Sequence, residues 1–171
     1  MRHYSLFLGI GLVILLILYT CVPDQEINPK AVIDKILVLK AERKLLVFEK
    51  GILLKTYPIA LGRVTTGAKE TEGDGKTPEG RFIIDAKSEH SSFYKNLSIS
   101  YPDSIAREKA RTMGKSPGGN IKIHGLRTGL GLLGKLHRLL DWTAGCIAVT
   151  NSELDEIYTH TPVGVEIIIR P

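Results

Sequence analysis

The stretch from Leu6 to Val22, LFLGIGLVILLILYTCV, carries no charge over 17 residues and decides where a folded domain in this chain can begin. With Tyr4 and Ser5 the uncharged run spans roughly 28 Å as a helix, close to the thickness of a bilayer core. Every face of such a helix is apolar, which does not suit a helix packed on a water-facing domain. Arg2 precedes the run and Pro23, Asp24 and Glu26 follow it. The positive-inside rule therefore puts the N-terminus in the cytoplasm and the rest of the chain outside. Leu18-Tyr19-Thr20 lacks the small residues of a signal-peptide cleavage site. An uncleaved transmembrane anchor over residues 4–22 is expected, then a linker over 23–33 and one exported domain over 34–171. The alternative is a lipoprotein signal acylated at Cys21, although Thr20 stands where Gly, Ala or Ser is wanted.

A chain of 171 residues holds about one domain, and 43% hydrophobic against 24% charged residues is enough for a core. The net charge of +5 suits any anionic neighbour. With only 6% aromatic residues there is little from which to build a base-stacking platform, so no nucleic-acid partner is expected. Two cysteines exclude a disulfide-rich scaffold and a four-cysteine zinc module. With Cys21 at the membrane edge, Cys146 is an unpaired thiol in an oxidising compartment. It is either a small buried hydrophobe or a group that works.

Short β-rich runs separated by turns predict strands at Lys35–Leu39, Leu45–Glu49, Ile52–Leu61, Arg81–Ala86, Leu97–Ser100, Ile121–His124, Gly145–Val149 and Val165–Ile169. Helical patterns are confined to Ser104–Met113 behind Asp103 and Ser152–Thr159 behind Thr150, whose Thr-x-x-Glu spacing to Glu153 is a capping box. The class is mainly β with peripheral short helices, and the irregular order of elements disfavours a doubly wound parallel sheet.

Two glycine motifs mislead. Gly75-Lys76-Thr77 resembles the end of a phosphate loop, but Glu70 occupies the required first glycine and Pro78 interrupts the helix that would follow. Gly129-x-Gly131-x-x-Gly134 matches a dinucleotide fingerprint, yet only 37 residues follow it. It reads better as a flexible loop forming a lid or wall between His124 and Cys146. Those two residues lie at the end of Ile121-Lys122-Ile123 and the head of Ile147-Ala148-Val149. If the strands adjoin, an imidazole and a thiol meet at one sheet edge, an arrangement that makes cysteine a strong nucleophile. The amides of Gly145 and Cys146 would then face a developing oxyanion. Zinc held by His124, His137 and Cys146 is the alternative, with a fourth ligand needed from His90 or His160. His137, with Lys135 and Arg138 beside it, suits a solvated or substrate-facing position.

Gly73-Asp74-Gly75-Lys76-Thr77-Pro78-Glu79-Gly80-Arg81-Phe82, Ser100-Tyr101-Pro102, Pro117-Gly118-Gly119, Ile123-His124-Gly125 and Thr143-Ala144-Gly145-Cys146-Ile147 occur in that order. The set resembles L,D-transpeptidase catalytic domains of the YkuD type, over about residues 34–169. The resemblance implies a YkuD-like mixed β-sandwich or barrel in the bacterial cell envelope. It makes Cys146 the nucleophile that is acylated by a peptidoglycan stem peptide, His124 the base and the Gly125 carbonyl the group that orients the imidazole. Neither a metal nor an organic cofactor is implied, and the acyl acceptor is a stem-peptide amine or an envelope protein. The family pattern S-H-G-C-[IV]-R is altered here at Thr143, Ala144 and Ala148, the mark of a divergent subgroup. That leaves transfer, hydrolysis by an L,D-carboxypeptidase or amidase, and a silent wall-binding module to be separated. Arg127, Lys135, His137, Arg138 and Trp142 are the expected substrate contacts, with Gly129–Trp142 as an apolar lid that favours transfer over hydrolysis. Full-length protein is expected to fractionate with the membrane and a chain starting near Asn28 to stay in solution, a result checked by detergent-free fractionation.

Overall fold

The computed structural model describes residues 26–171. The expected anchor over residues 4–22 and the acylated Cys21 lie outside the described residues, among which no helix is long and apolar enough to cross a membrane. Alternating side chains build the first strands, β1 (Lys35–Leu39) and β2 (Lys44–Glu49), with Ile36, Val38, Leu45 and Val47 all fully buried. Lys50 and Gly51, both at positive φ (50° and 80°), close the tight turn into β3 (Ile52–Pro58). Such turns match the right-handed twist of a hairpin.

The sheet has eight strands in the order β3-β2-β1-β8-β4-β5-β6-β7 and curls into a half-barrel with a few short helices. At its centre β1 runs parallel to β8 (Glu166–Arg170), Lys35 opposite Glu166. The long β4 (Gly80–Ser91) pairs with β8 through its first residues and with β5 (Tyr94–Ile99) further on, its register shifting between Ile84 and Ala86. Through β4 the core half is continuous with β6 (Lys122–His124) and β7 (Ile147–Ala148). Helix α1 (Ser104–Thr112) is capped by Asp103, which accepts from the Ala106 amide at 2.7 Å. Helix α2 (Asn151–His160) carries both halves of the expected capping box.

Three expectations change. The third strand stops at Pro58, which has no N–H for the ladder, and the chain crosses to bridge Ala60 with Ala148 and Gly62 with Thr143. The expected linker is partly core: Ile27, Ala31 and Ile33 are buried, and the Ile33 amide donates to the His160 carbonyl at 2.9 Å. The expected flexible loop contains 3₁₀ turns over Gly131–Leu139, broken at Gly134 (φ 45°).

Asp74 organises the segment before β4. Its carboxylate accepts from the amides of Glu70, Thr71 and Lys76 at 2.8, 3.1 and 3.0 Å and pairs with Lys69 at 2.9 Å. Burial pushes the group up, but the amides and the Lys69 ammonium outweigh it and hold Asp74 at about 2, below its ordinary 3.8. A depressed folded pKa gives stability that is complete above the unfolded value and lost as the pH falls towards the folded one. Between about pH 5 and pH 2 wild-type protein should lose about 2 kcal/mol that Asp74→Asn does not, measured by urea unfolding of both.

Candidate active site

β6 and β7 are parallel neighbours, with Ile123 opposite Ile147 and His124 opposite Ala148. Both isoleucines are fully buried, so the residues alternating with them emerge on the other face of the sheet. The register sets Cys146 level with Lys122. The Lys122 amide donates to the thiol, and Cys146 Sγ lies 3.4 Å from the Asn120 carbonyl it donates to. His124 and Cys146 line one cavity of about 490 Å³.

The imidazole is held firmly. His124 Nδ1 lies 2.7 Å from the Gly125 carbonyl. A carbonyl only accepts, so Nδ1 carries the proton and Nε2 is the basic nitrogen. The ring is tilted against Phe93 at a centroid distance of 4.8 Å and meets Trp142 edge-on at 5.7 Å. Gly125 itself packs on Asn151, where a Cβ would stand 2.5 Å from Oδ1. Asn151 also accepts from the Leu126 amide at 2.8 Å, fixing the chain just beyond the histidine.

The turn carrying the thiol is stapled by Thr143. Its hydroxyl donates to the Cys146 carbonyl at 2.8 Å and accepts from the Gly145 amide at 3.1 Å. The Gly145 N–H, expected to face an oxyanion, is thus already engaged. Gly145 has φ 129°, and a Cβ there would lie 2.5 Å from the Lys76 carbonyl oxygen. The glycine is a packing requirement as well as a turn residue.

Of the expected substrate contacts only Trp142 lines the cavity; Arg127, Lys135, His137 and Arg138 do not. Arg138 is drawn under the surface to Glu153, the acid of the α2 capping box, with both side chains buried. His137 is buried rather than solvated, and burial, with Arg138 and His124 nearby, pushes it down to about 4. Being neutral, it accepts at Nδ1 from the Trp142 indole N–H at 3.5 Å, so it backs the wall of the cavity. Arg127 is exposed beyond the wall. Sequence reasoning missed Arg63, Phe93, Asn120 and Lys122, which line the cavity with Cys146. Among the described residues no group of three His, Cys, Asp or Glu side chains is arranged to hold a metal. A second cavity, of about 560 Å³, lies between Lys55, Glu156 and His160 and contains no thiol.

Comparison with known proteins places this geometry. The family model for YkuD, the L,D-transpeptidase catalytic domain, matches residues 33–169. Among solved structures the chain is similar to a variant of the helical cell shape determining protein Pgp2 from Campylobacter jejuni, with 25% identity and a TM-score of 0.60, over 82% of this chain and 48% of that one. Bd1075 from Bdellovibrio bacteriovorus shares the fold at 22% identity and a TM-score of 0.57, over 85% and 51% of the two chains. An L,D-transpeptidase from Xylanimonas cellulosilytica shares it at 15% identity and 0.52, over 86% and 65%. The chain spans about half the length of the first two. No curated protein matches it.

Burial pushes the Cys146 thiol up from its ordinary 9.0 despite the Lys122 amide and the charges of Lys122 and Lys69. It pushes His124 down from 6.5 despite the Gly125 carbonyl. At neutral pH the pair rests as thiol and neutral imidazole. Alkylation of Cys146 by iodoacetamide should therefore climb steadily through about pH 9, without the plateau near pH 6–7 that a thiolate–imidazolium pair produces.

Proposed function

The chain belongs to the YkuD family of L,D-transpeptidase catalytic domains, and from that premise we propose that it is a cysteine acyltransferase of the bacterial cell envelope acting on peptidoglycan stem peptides. The observation that carries the reading is the His124 Nδ1–Gly125 carbonyl bond at 2.7 Å, which leaves a basic Nε2 on an imidazole sharing a cavity with the Cys146 thiol. As Sγ attacks the carbonyl of the third stem residue, diaminopimelic acid or its equivalent, Nε2 takes the thiol proton. The tetrahedral oxyanion falls to the Cys146 amide, since the Gly145 amide is committed to Thr143. Collapse breaks the bond to terminal D-alanine, whose amine receives the proton from His124, and leaves a thioester on Cys146. An amine of a second stem peptide or of an envelope protein then attacks the thioester and releases the thiol. His124 works by taking the amine's proton. No step draws on a metal or organic cofactor.

In this reading residues 4–22 hold the chain in the membrane, with the catalytic domain extracytoplasmic. A role in cell shape, the property named for Pgp2, accompanies activity on the wall.

One observation favours water as the second acceptor. A lid over the thioester was expected from Gly129–Trp142, but Trp142 is the one residue of that segment on the cavity wall. With less to exclude water, an L,D-carboxypeptidase or amidase is the second reading.

Cys146→Ala and His124→Ala should each lower turnover of a tetrapeptide donor by about a thousandfold or more, and the double variant should be hardly worse than either. With excess diaminopimelic-type amine, mass analysis distinguishes the acceptors: cross-linked product in excess marks transfer, tripeptide in excess at every amine concentration marks hydrolysis. No product from either the donor or purified sacculi would leave a wall-binding module.

A further inference from the structure

Several buried or half-buried cations of this domain face an acid. Lys40 pairs with Glu79, Arg43 with Asp141, Lys55 with Glu156, Lys69 with Asp74 and Arg138 with Glu153. The exposed Arg63 and the half-buried Lys122 stand apart by where they lie. Neither has an ion-pair partner among the described residues, both line the cavity that holds Cys146, and no Asp or Glu lines that cavity with them.

Their backbones are tied to the nucleophile from two sides. The Arg63 amide donates to the Thr143 carbonyl at 3.1 Å, in the strand-like bridge that holds the cysteine turn. The Lys122 amide donates to the thiol itself. The scissile bond of a donor must lie at Cys146, so two cations without an ion-pair partner among the described residues line the cavity that receives it. An unpaired positive pair in a cavity attracts carboxylates, and a guanidinium binds them through two parallel N–H bonds.

We infer that Arg63 and Lys122 form a carboxylate-reading pair that selects donors by the anionic groups on either side of the bond broken at Cys146. This rests on the proposed function. The donor class follows from its chemistry: a peptide whose leaving residue is a C-terminal D-amino acid with a free α-carboxylate, and whose preceding residue carries a second free carboxylate on its side chain. Donors amidated at these carboxylates are poor ones. Arg63 and Lys122 thus take the part that the sequence assigned to Arg127, Lys135 and Arg138.

Two measurements test the pair. In the first, Cys146 is alkylated with iodoacetate and with iodoacetamide, and the modification is followed at that residue by peptide mass analysis. In both reactions sulfur bonds to carbon, iodide leaves and the thiol proton goes to solvent, so the ratio of the two rates reports only the charge of the cavity. Arg63→Gln and Lys122→Gln should each lower the iodoacetate-to-iodoacetamide ratio about three- to tenfold. Lys115→Gln, which removes an exposed cation outside the cavity, should leave it unchanged. In the second, kcat/KM is compared for a tetrapeptide ending in a carboxylate and for its terminal carboxamide. The wild-type preference for the carboxylate should shrink in Arg63→Gln with the rise in KM exceeding the fall in kcat.

A ratio within twofold of wild type in both variants overturns the inference whatever the enzyme does to peptides, as does an equal fall in Lys115→Gln or a Cys146 inert to both reagents. If the ratio falls as expected but wild-type protein turns over neither tetrapeptide, it is the proposed function that fails, and with it the peptide assignment of the pair.

Discussion

The cysteine turn exists because three stretches of backbone meet with no side chain between them. A Cβ on Gly62 would overlap the Gly75 carbonyl oxygen and lie 3.1 Å from the Gly145 Cα, and one on Gly145 would strike the Lys76 carbonyl. Segments 60–63, 75–77 and 143–146 therefore stack at distances no other residue allows. The bridges of Ala60 to Ala148 and Gly62 to Thr143 continue that contact along both sides of the nucleophile. Asp74, gathering three amides and Lys69, holds the second segment in the shape that lets Lys76 approach. The glycine-rich motif ahead of β4 thus forms the floor under a thiol some seventy residues further along the chain.

Above that floor the chemistry is organised by burial more than by charge pairing. A buried imidazole and a half-buried thiol both favour their neutral forms. The proton moves when a substrate is present, and the Gly125 carbonyl ensures that one nitrogen alone receives it. Phe93 and Trp142 restrict the ring from two sides, and the neutral His137 behind Trp142 anchors the indole. The positive charge of the cavity is then free to act on what enters it.

What was legible in the sequence follows local rules. Alternation in KILVL and LLVFE and the Thr150-x-x-Glu153 box each depend on a few neighbouring residues, and each formed as expected. His124 and Cys146 were legible because each sits at one end of a short apolar run, and adjoining runs leave few places for a side chain to emerge. Arg63 and Phe93 were not, because strand crossings bring them to the site from far along the chain. Arg138 was misread because its partner Glu153, fifteen residues further on, is reached through a buried contact that no spacing reveals. The Gly145 amide was misassigned for a similar reason: the Thr143 hydroxyl two residues away competes for it.

The strand at the middle of the sheet imposes an order on how the molecule is assembled. β8, residues 166–170, is inserted between β1 and β4, and until it arrives those two strands have no common neighbour. The N-terminal meander can close early, but its connection to β4 across the sheet waits on a segment made some 130 residues later. Pairings of such long sequence separation form slowly. A chain emerging vectorially from a ribosome or a translocation pore therefore holds its sheet in two parts until β8 has cleared the exit, although the bridges of Ala60 to Ala148 and Gly62 to Thr143 that frame the nucleophile need only residues made before it.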